Sequence, residues 1–362
     1  MRILIATGGT GGHIYPALAL ADIALQNDAN TKILFIGNVD RMEKSIIPDA
    51  GYDFLGIAAK GFNNANANKL NSLKLIFEAY SRCKEIIREF KPDVVIGFGG
   101  YVSVPVLLAA SRLKVPIFLH EQNSIAGMAN KLLGHFVKKV FVCYEGTVRD
   151  FPSQKTMLLG NPRATIAHNE TIDQTFLKTL NLNSDLKTVF MVMGSLGSSS
   201  VNEKMIEALN SVTSTDYQIV YVTGKDDYNQ FKEKVNEKEN IKILPYINQI
   251  QMLANCDLVV SRGGATSAAE ITALNVPAII IPSPFVPNNH QFLNAKELLD
   301  NGCALLVEEK DLDTINIIDV IEETIFDDTK LVQMSGCAKK LGFPQAAYDI
   351  LKAIKKEMRV NQ

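Results

Sequence analysis

Short apolar runs without polar alternation recur along the chain, separated by stretches whose apolar positions follow a helical period. Such runs are typical of strands buried on both faces of a parallel sheet, and the helices between them would cover those faces. The pattern therefore predicts an α/β fold. The predicted strands are 2–6, 32–36, 53–57, 93–97, 116–119, 139–143, 188–193, 218–223, 241–244, 257–260, 277–281 and 303–307.

The strand–loop–helix pattern of the N-terminus starts again at TVFMVMGSLGSSSVNEKMIEAL (188–209), after the polar, proline-containing stretch GNPRATIAHNE (160–170). This restart indicates two doubly wound, Rossmann-like domains. We expect the first over 1–162 and the second over 163–340. The amphipathic helix predicted near the end, within 341–362, is expected to pack back on the first domain.

Composition narrows the class of protein. The 362 residues are 47% hydrophobic and 21% charged, with a net charge of −2, as in an ordinary globular protein. No apolar run approaches the roughly 20 residues of a membrane span, and no export signal is expected at the start. Five widely spaced cysteines predict free thiols rather than disulfides or a zinc site. No nucleic-acid partner is expected.

The opening stretch RILIATGGTGGHIYPALALADIAL contains the first candidate site. GGTGGH lies between the first strand and a helix predicted to begin near Pro16, where free N–H groups and the helix dipole favour an anion. No Lys-Ser/Thr follows, so the loop is not a P-loop, and the spacing is not that of a dinucleotide fingerprint. The alternative is a tight turn that binds nothing.

The loops after the other predicted strands are rich in Gly, Ser, Thr, Asn and Gln and poor in acids. Ligands of doubly wound folds bind at the carboxyl ends of strands, where these loops lie. Because no acidic pair, HExxH or cysteine cluster occurs there, no protein-bound metal is expected. The set suits a polar ligand that carries phosphates.

SRGGATSAAE (261–270) is the most informative of these loops. It predicts a helix N-terminus whose N–H groups, with the hydroxyls of Thr266 and Ser267, can hold a diphosphate. Glu270, one turn into the helix, can accept hydrogen bonds from two sugar hydroxyls. The alternative for Glu270 is a carboxylate that only interacts with the helix dipole. Arg262 fits either a phosphate ligand or a surface ion pair.

Taken together, GGTGGHIYPALALA, GGYVS, HEQNSIAGMANKLL, GNPR, GSLGS, SRGGATSAAE and HQFLNA resemble the MurG family of glycosyltransferases, in the same order and over nearly the whole chain. The resemblance implies the GT-B fold, with two Rossmann-like domains facing across a deep cleft. It implies inverting transfer of N-acetylglucosamine from UDP-N-acetylglucosamine to lipid I, undecaprenyl-diphospho-N-acetylmuramoyl-pentapeptide, in peptidoglycan synthesis. It also implies a peripheral protein on the cytoplasmic side of the plasma membrane.

The same resemblance implies a set of donor contacts, with the ribose at Glu270 and the uracil near Ile247. Two positions depart from the family's pattern. Leu196 stands where the family usually has a glutamine, and Arg163 directly follows Pro162, one residue earlier than usual. The implied contacts are Thr10, Gly11, Gly12, Asn123, Arg163, Ser195, Ile247, Ala265, Thr266, Ser267, Ala268, Ala269, Glu270 and Gln291.

An inverting transfer needs a base for the acceptor hydroxyl and stabilisation of the leaving group. His13 is the candidate base, since a nearby helix N-terminus would keep its ring neutral. The alternative is a histidine that caps the helix or orients substrate. Glu121 and His120 are rival bases. No cofactor is expected, and a divalent cation is expected at most to stimulate.

NKLNSLKLIFEAYSRCKEIIREF (68–90) has apolar residues at helical spacing, flanked by lysines and arginines, as in helices that bind anionic lipid. Leu70 and Leu75 are the residues expected to be exposed. The alternative is a helix packed on the sheet.

Two other functions remain compatible with the pattern. One is another GT-B enzyme, a UDP-N-acetylglucosamine 2-epimerase or a transferase acting on a soluble acceptor. An epimerase would be expected to carry more acids and histidines in the cleft. The other is a non-catalytic subunit that binds a nucleotide sugar, which would leave GGTGGH without a role.

Overall fold

The computed structural model describes residues 1–59, 69–194, 197–236 and 238–359, without the side chains of residues 69–76. The chain divides into two compact units, Met1–Thr165 with Gln345–Gln362, and Ile166–Pro344. The strands are β1 (Arg2–Ala6), β2 (Lys32–Asn38), β3 (Asp53–Ile57), β4 (Val94–Gly97), β5 (Ile117–Glu121), β6 (Lys139–Val142), β7 (Thr156–Leu158), β8 (Lys187–Val192), β9 (Tyr217–Val222), β10 (Ile241–Leu244), β11 (Leu258–Ser261), β12 (Ala278–Ile280) and β13 (Ala304–Leu306).

Helices connect most of these strands. They are α1 (Gly11–Asn27), α2 (Glu43–Asp49), α3 (Lys69–Phe90), α4 (Ser103–Arg112), α5 (Met128–Gly134), α6 (Glu145–Val148), α7 (Pro162–Asn169), α8 (Phe176–Thr179), α9 (Ser199–Ser211), α10 (Tyr228–Lys234), α11 (Gln249–Ala254), α12 (Ala265–Ala273), α13 (His290–Asp300), α14 (Ile317–Ile325), α15 (Asp328–Leu341) and α16 (Ala346–Arg359).

The first unit contains a seven-stranded parallel sheet in the order β3-β2-β1-β4-β5-β6-β7. Its central strands are fully buried because helices cover both faces, which explains their uninterrupted apolar sequences. The strand order reverses between β1 and β4, where Ala6 pairs with Gly97. The loops that follow these two strands are therefore neighbours at the position where doubly wound folds bind ligands.

The second unit repeats the arrangement with six parallel strands in the order β10-β9-β8-β11-β12-β13. Here the order reverses between β8 and β11, where Ser261 pairs with Val192. The loop after β11 leads directly into α12. Two Rossmann-like parallel sheets confirm the predicted α/β fold class.

The last helix belongs to the first unit, although it follows the second in the chain. α16 packs against α1, and the backbone N–H of Ala347 donates to Oγ1 of Thr165 at 3.0 Å. Its apolar face is buried, including Ile350 and Ile354.

The structure differs from the predicted elements at two places. α1 begins at Gly11 rather than near Pro16, with the N–H groups of His13 and Ile14 donating to the Thr10 carbonyl. Two glycines and an internal proline concealed this start, because all three disfavour a helix interior. β7 is a strand that the apolar pattern does not predict. Its three residues lie at the sheet edge and are only partly buried, so they lack an apolar run.

Among the described side chains of α3, one face of the helix packs inward and the other is exposed. Cys83, Ile86 and Ile87 are buried in the core of the first unit, whereas Phe77 is 68% exposed. The side chains of Leu70 and Leu75 lie outside the described residues. No helix within the described part of the chain is long and apolar enough to cross a membrane.

Candidate active site

The first candidate site lies where β1 passes into α1. Gly9 has φ +94, a conformation that favours glycine, and turns the chain from the strand into the helix. Thr10 is the N-cap, but its hydroxyl does not cap the helix. Within the described residues, the N–H groups of Thr10, Gly11 and Gly12 have no acceptor. They are therefore available to oxygen atoms of a ligand.

His13, in the first turn of α1, is oriented by two contacts. Its Nδ1 lies 3.0 Å from Oγ1 of Thr10. The other side of its ring lies against Gly99, where a Cβ would be 2.7 Å from Cδ2 and 2.8 Å from Nε2. Gly99 follows β4 and has φ +99. Glycine is needed here because this backbone conformation favours it and because a Cβ would collide with the His13 ring. The motif GGYVS in the sequence begins at Gly99, but the sequence did not identify this glycine as the residue against which His13 packs.

His120 is fully buried at the end of β5. Its Nε2 lies 3.2 Å from the Gly160 carbonyl and 3.6 Å from Sγ of Cys143. Burial lowers the pKa of this imidazole to about 4, although the hydrogen bond to the Gly160 carbonyl opposes the shift. His120 is therefore a neutral ring within the unit rather than a group exposed to a ligand.

Glu121 is also buried, with 1% of its surface exposed. Its carboxyl accepts hydrogen bonds from the N–H groups of Asn123 and Gly127, at 3.0 and 3.1 Å, and from Nδ2 of Asn130 at 2.9 Å. Burial raises the pKa of the Glu121 carboxyl. These bonds fix the loop that carries Asn123, and burial favours a supporting role for Glu121 over proton exchange with a ligand.

Arg163, the second residue of α7, lies near Asp22 of α1, and its charge partly opposes the rise that burial causes in the pKa of the Asp22 carboxyl. Its backbone N–H donates to Oδ1 of Asn161 at 3.0 Å. Arg163, which directly follows Pro162, is therefore held beside α1 of the first unit.

In the second unit, α12 begins at the carboxyl end of β11 without a side-chain cap. The N–H groups of Ala265, Thr266 and Ser267 have no acceptor within the described residues. Oγ1 of Thr266 is buried and has no partner there either. Because buried hydroxyls are normally hydrogen-bonded, this one points to a ligand that completes the site. Ala268, next in the helix, faces the core, and Ala269 is partly buried.

Glu270, on the same helix, is only 3% exposed. Its Oε2 accepts a hydrogen bond from Nε2 of Gln249 at 2.6 Å, which fixes one carboxyl oxygen at the start of α11. Ile247, two positions before Gln249, is buried in the same core. The prediction from the sequence named Ile247 in this loop but not Gln249.

The α13 helix supports the loop before α12. Nδ2 of Asn294 donates to the Gly263 carbonyl at 3.0 Å, and a Cβ on Gly263 would lie 2.3 Å from the Gln291 carbonyl oxygen. Oε1 of Gln291 accepts from the N–H of Ser283 at 2.9 Å. Asn294 was missed, although it falls in the quoted motif HQFLNA.

Arg262 forms the ion pair that was one of the two alternatives from the sequence, but the pair is buried rather than at the surface. It is 6% exposed and forms an ion pair with Glu309, at 2.7 Å between Nη1 and Oε2. Its Nη2 also donates to Oγ of Ser198 at 2.6 Å. The guanidinium is thus paired with side chains of the second unit. Ser195 and Leu196 lie outside the described residues.

No group of three or more His, Cys, Asp or Glu side chains in the described ranges could hold a metal ion. The two sites instead present uncapped helix N-termini, hydroxyls and one anchored carboxyl. Such groups suit a nucleotide sugar, and on two Rossmann-like units they define a GT-B glycosyltransferase.

The family comparison agrees with this class. Residues 3–142 match the glycosyltransferase family 28 N-terminal domain, and residues 188–350 match its C-terminal domain. The chain belongs to glycosyltransferase family 28 and is a MurG homologue, which confirms the resemblance in the sequence.

Similar proteins extend over the full length. The chain is 39% identical to a Pediococcus pentosaceus protein (98% of this chain, 100% of the relative) and 40% identical to one from Bacillus cytotoxicus (99% and 100%). Both are named UDP-N-acetylglucosamine–N-acetylmuramyl-(pentapeptide) pyrophosphoryl-undecaprenol N-acetylglucosamine transferase.

Solved structures show the same fold. Acinetobacter baumannii MurG superposes with a TM-score of 0.78 at 26% identity, covering 98% of this chain and 99% of the other. A Neisseria meningitidis UDP-GlcNAc 2-epimerase gives a TM-score of 0.67 at 14% identity, covering 98% and 100%. At that identity the epimerase likeness concerns the fold alone.

Proposed function

We propose that this protein transfers N-acetylglucosamine from UDP-N-acetylglucosamine to the 4-hydroxyl of N-acetylmuramoyl-pentapeptide on undecaprenyl diphosphate. The transfer inverts the anomeric centre and gives a β-1,4 link in peptidoglycan synthesis. Membership of family 28 and the two full-length relatives support this activity. The structural observation that carries it is the α12 N-terminus, where the unpartnered Thr266 hydroxyl and the anchored Glu270 carboxyl lie on one helix.

The donor's diphosphate is assigned to the first turn of α12. The N–H groups of Ala265, Thr266 and Ser267 point out of an uncapped helix, and their dipoles favour negative charge. Glu270 would accept the ribose hydroxyls, with Gln249 fixing the carboxyl. The uracil is assigned to the main chain near Ile247. Such fixed donors stabilise the charge that develops on UDP as it leaves.

The acceptor chemistry is assigned to His13. The acceptor oxygen attacks C1 of N-acetylglucosamine from the face opposite UDP and forms the new C1–O bond. The C1–O bond to the β-phosphate breaks, and its electron pair leaves with UDP. The proton of the acceptor hydroxyl passes to the His13 ring, whose position is set by Thr10 and Gly99.

The structure also supports a site of bilayer contact. Met128 and Leu132 on α5, and Phe136 just after it, are 70%, 58% and 54% exposed. They recur every four residues and so form one apolar stripe. α4 packs against α5 and exposes Arg112. An apolar stripe with an exposed cationic side chain on the adjoining helix fits the surface of an anionic membrane, here the inner face of the plasma membrane.

Vesicle sedimentation tests this surface. The double variant Leu132→Glu/Phe136→Glu should lose binding to vesicles that contain phosphatidylglycerol, whereas Val332→Glu, at a 72% exposed position of the second unit, should keep it. Equal binding of both variants would contradict the assignment of this stripe.

A label-transfer assay tests the activity itself. The purified protein is incubated with UDP-N-acetylglucosamine labelled in the sugar, with and without a lipid I analogue. Label should move to the lipid only when acceptor is present. Conversion of the donor to its C2 epimer without acceptor would instead identify an epimerase, and binding without turnover would identify a non-catalytic subunit.

A further inference from the structure

The side chain of Glu43, the first residue of α2, is completely buried below the loop that precedes α1. Its Oε2 accepts a hydrogen bond from the N–H of Gly9 at 3.1 Å. Its Oε1 accepts from the N–H of Asn38, at the end of β2, at 2.9 Å. Within the described residues it has no ion-pair partner. Burying a carboxyl without a cation costs free energy, which indicates that Glu43 has a specific role.

The surrounding backbone fits closely around this carboxyl. A Cβ on Gly8 would lie 2.1 Å from Oε1 of Glu43, and a Cβ on Gly37 would lie 2.6 Å from its Cγ. Asn38, which donates to Glu43, also accepts from the N–H of Ala59 through Oδ1 at 3.2 Å. The carboxyl thus joins the segment after β1 to the end of β2, and the Asn38 side chain extends the contacts to the segment after β3. The close contact with Glu43 explains why glycine is required at positions 8 and 37, although neither residue has an unusual φ.

The consequence concerns which N–H groups remain for a ligand. Because Gly9 donates inward to Glu43, its N–H is not available at the surface. The free N–H groups are those of Thr10, Gly11 and Gly12, which follow directly. The bond also holds Gly9 at φ +94 and so sets the direction in which α1, and His13 within it, leaves the sheet.

We propose that Glu43 is a positioning residue for the acceptor chemistry, which it serves by holding Gly9 so that the first turn of α1 presents Thr10 to His13 in the productive orientation. This inference rests on the proposed function for its kinetic consequence. The hydrogen bond between Glu43 and Gly9, on which the inference is based, does not depend on that function.

Glu43→Gln is the main test variant. The amide keeps the shape but replaces one acceptor oxygen with an NH₂ group, so one backbone N–H loses its partner. We expect kcat/KM for the lipid acceptor to fall about tenfold to a hundredfold. The Kd for UDP should stay unchanged, because the diphosphate, ribose and uracil are assigned to α12, Glu270 and Ile247 in the other unit. Asp49→Asn, on the exposed end of α2, is the matched control and should behave as wild type.

Backbone amide exchange provides a readout that does not need activity. The Gly9 N–H should exchange slowly in the wild-type protein and at least tenfold faster in Glu43→Gln, with the amides of β8 and β11 unchanged. If the wild type transfers no label but Gly9 exchange still depends on Glu43, the proposed function fails and the positioning contact stands. Unchanged Gly9 exchange and unchanged acceptor kinetics in Glu43→Gln would overturn the inference.

Gly8→Ala tests the same contact from the loop if Glu43→Gln does not fold. Its methyl group would press on Oε1 of Glu43, so acceptor kcat/KM should fall while UDP binding persists. In a Glu43→Asp background, which keeps a carboxyl but shortens the side chain by one methylene, the added methyl group has more room and the effect of Gly8→Ala should shrink. Additive effects, or wild-type kinetics for Gly8→Ala, would contradict the proposal.

Discussion

The ring of His13 lies so close to Gly99 that a Cβ there would be 2.7 Å from its Cδ2. The two residues follow β1 and β4, the neighbouring strands at which the order of the first sheet reverses. The fold therefore sets the position of the candidate base through a backbone contact from a distant segment.

Gly99→Ala should displace the His13 ring and strain a backbone with φ +99. We expect kcat to fall at least about tenfold, because a small misplacement of a catalytic group is costly. The Kd for UDP should not change. Steady-state kinetics with titration of UDP measure both quantities. Gly127→Ala, at an exposed glycine with open space around its Cβ, is the control, and an equal loss there would contradict the contact-based explanation.

Glu270→Ala should weaken donor binding more than it slows the transfer. Loss of hydrogen bonds to a charged group costs about 1.5–3 kcal/mol, which corresponds to roughly a tenfold to hundredfold rise in donor KM. Initial rates at varied UDP-N-acetylglucosamine test this. Glu203→Ala, an exposed position on α9, should leave the donor KM unchanged. A normal donor KM in Glu270→Ala would exclude the assigned ribose contact.

The transfer should persist in EDTA. No metal-binding cluster occurs in the described ranges, and we assign the leaving-group charge to the α12 N-terminus and the Thr266 hydroxyl. Divalent cations are expected at most to stimulate by pairing with free diphosphates. Rates measured before and after chelation decide this, and a complete loss that added metal restores would refute it.

The buried imidazole of His120 should make stability depend on pH. Burial lowers its pKa from 6.5 to about 4. Below pH 6.5 the unfolded chain therefore binds a proton that the native protein does not, and stability falls as the pH drops toward 4. The contribution is about 3 kcal/mol over this window.

Glu121 titrates in the opposite sense, because burial raises the pKa of its carboxyl. The test therefore compares His120→Gln with wild type by urea unfolding at pH 4, 5, 6 and 7. The variant should lose less stability on acidification than wild type. Parallel pH curves would contradict the neutral, buried histidine.

Much of the fold could be predicted from the sequence, because strands buried on both faces need uninterrupted apolar runs. Every predicted strand has a counterpart, whereas β7 escaped prediction as a short, partly buried edge strand. The start of α1 was hidden by Gly11, Gly12 and Pro16, because glycine and proline disfavour a helix interior.

The candidate site was predictable where it depends on local sequence, as at the α12 N-terminus and Glu270. It was not predictable where two distant segments meet. Glu43, Gly99 and Asn294 contact residues far away in the chain, and Arg262 is paired with Glu309 from a separate loop. Such pairings depend on the topology of the fold, and no motif or regular spacing in the sequence reveals them.

The central claim is that His13 takes the proton of the acceptor hydroxyl while the second unit holds the donor. Its most direct test is the pH profile of kcat for wild type and His13→Ala, with the Kd for UDP measured on the same samples. The account predicts a loss of about 10²- to 10⁴-fold in kcat, disappearance of the acidic limb, and an unchanged Kd. A His13→Ala enzyme that keeps most of its kcat, or keeps the acidic limb, would contradict it, and Glu121 would be the next residue to test.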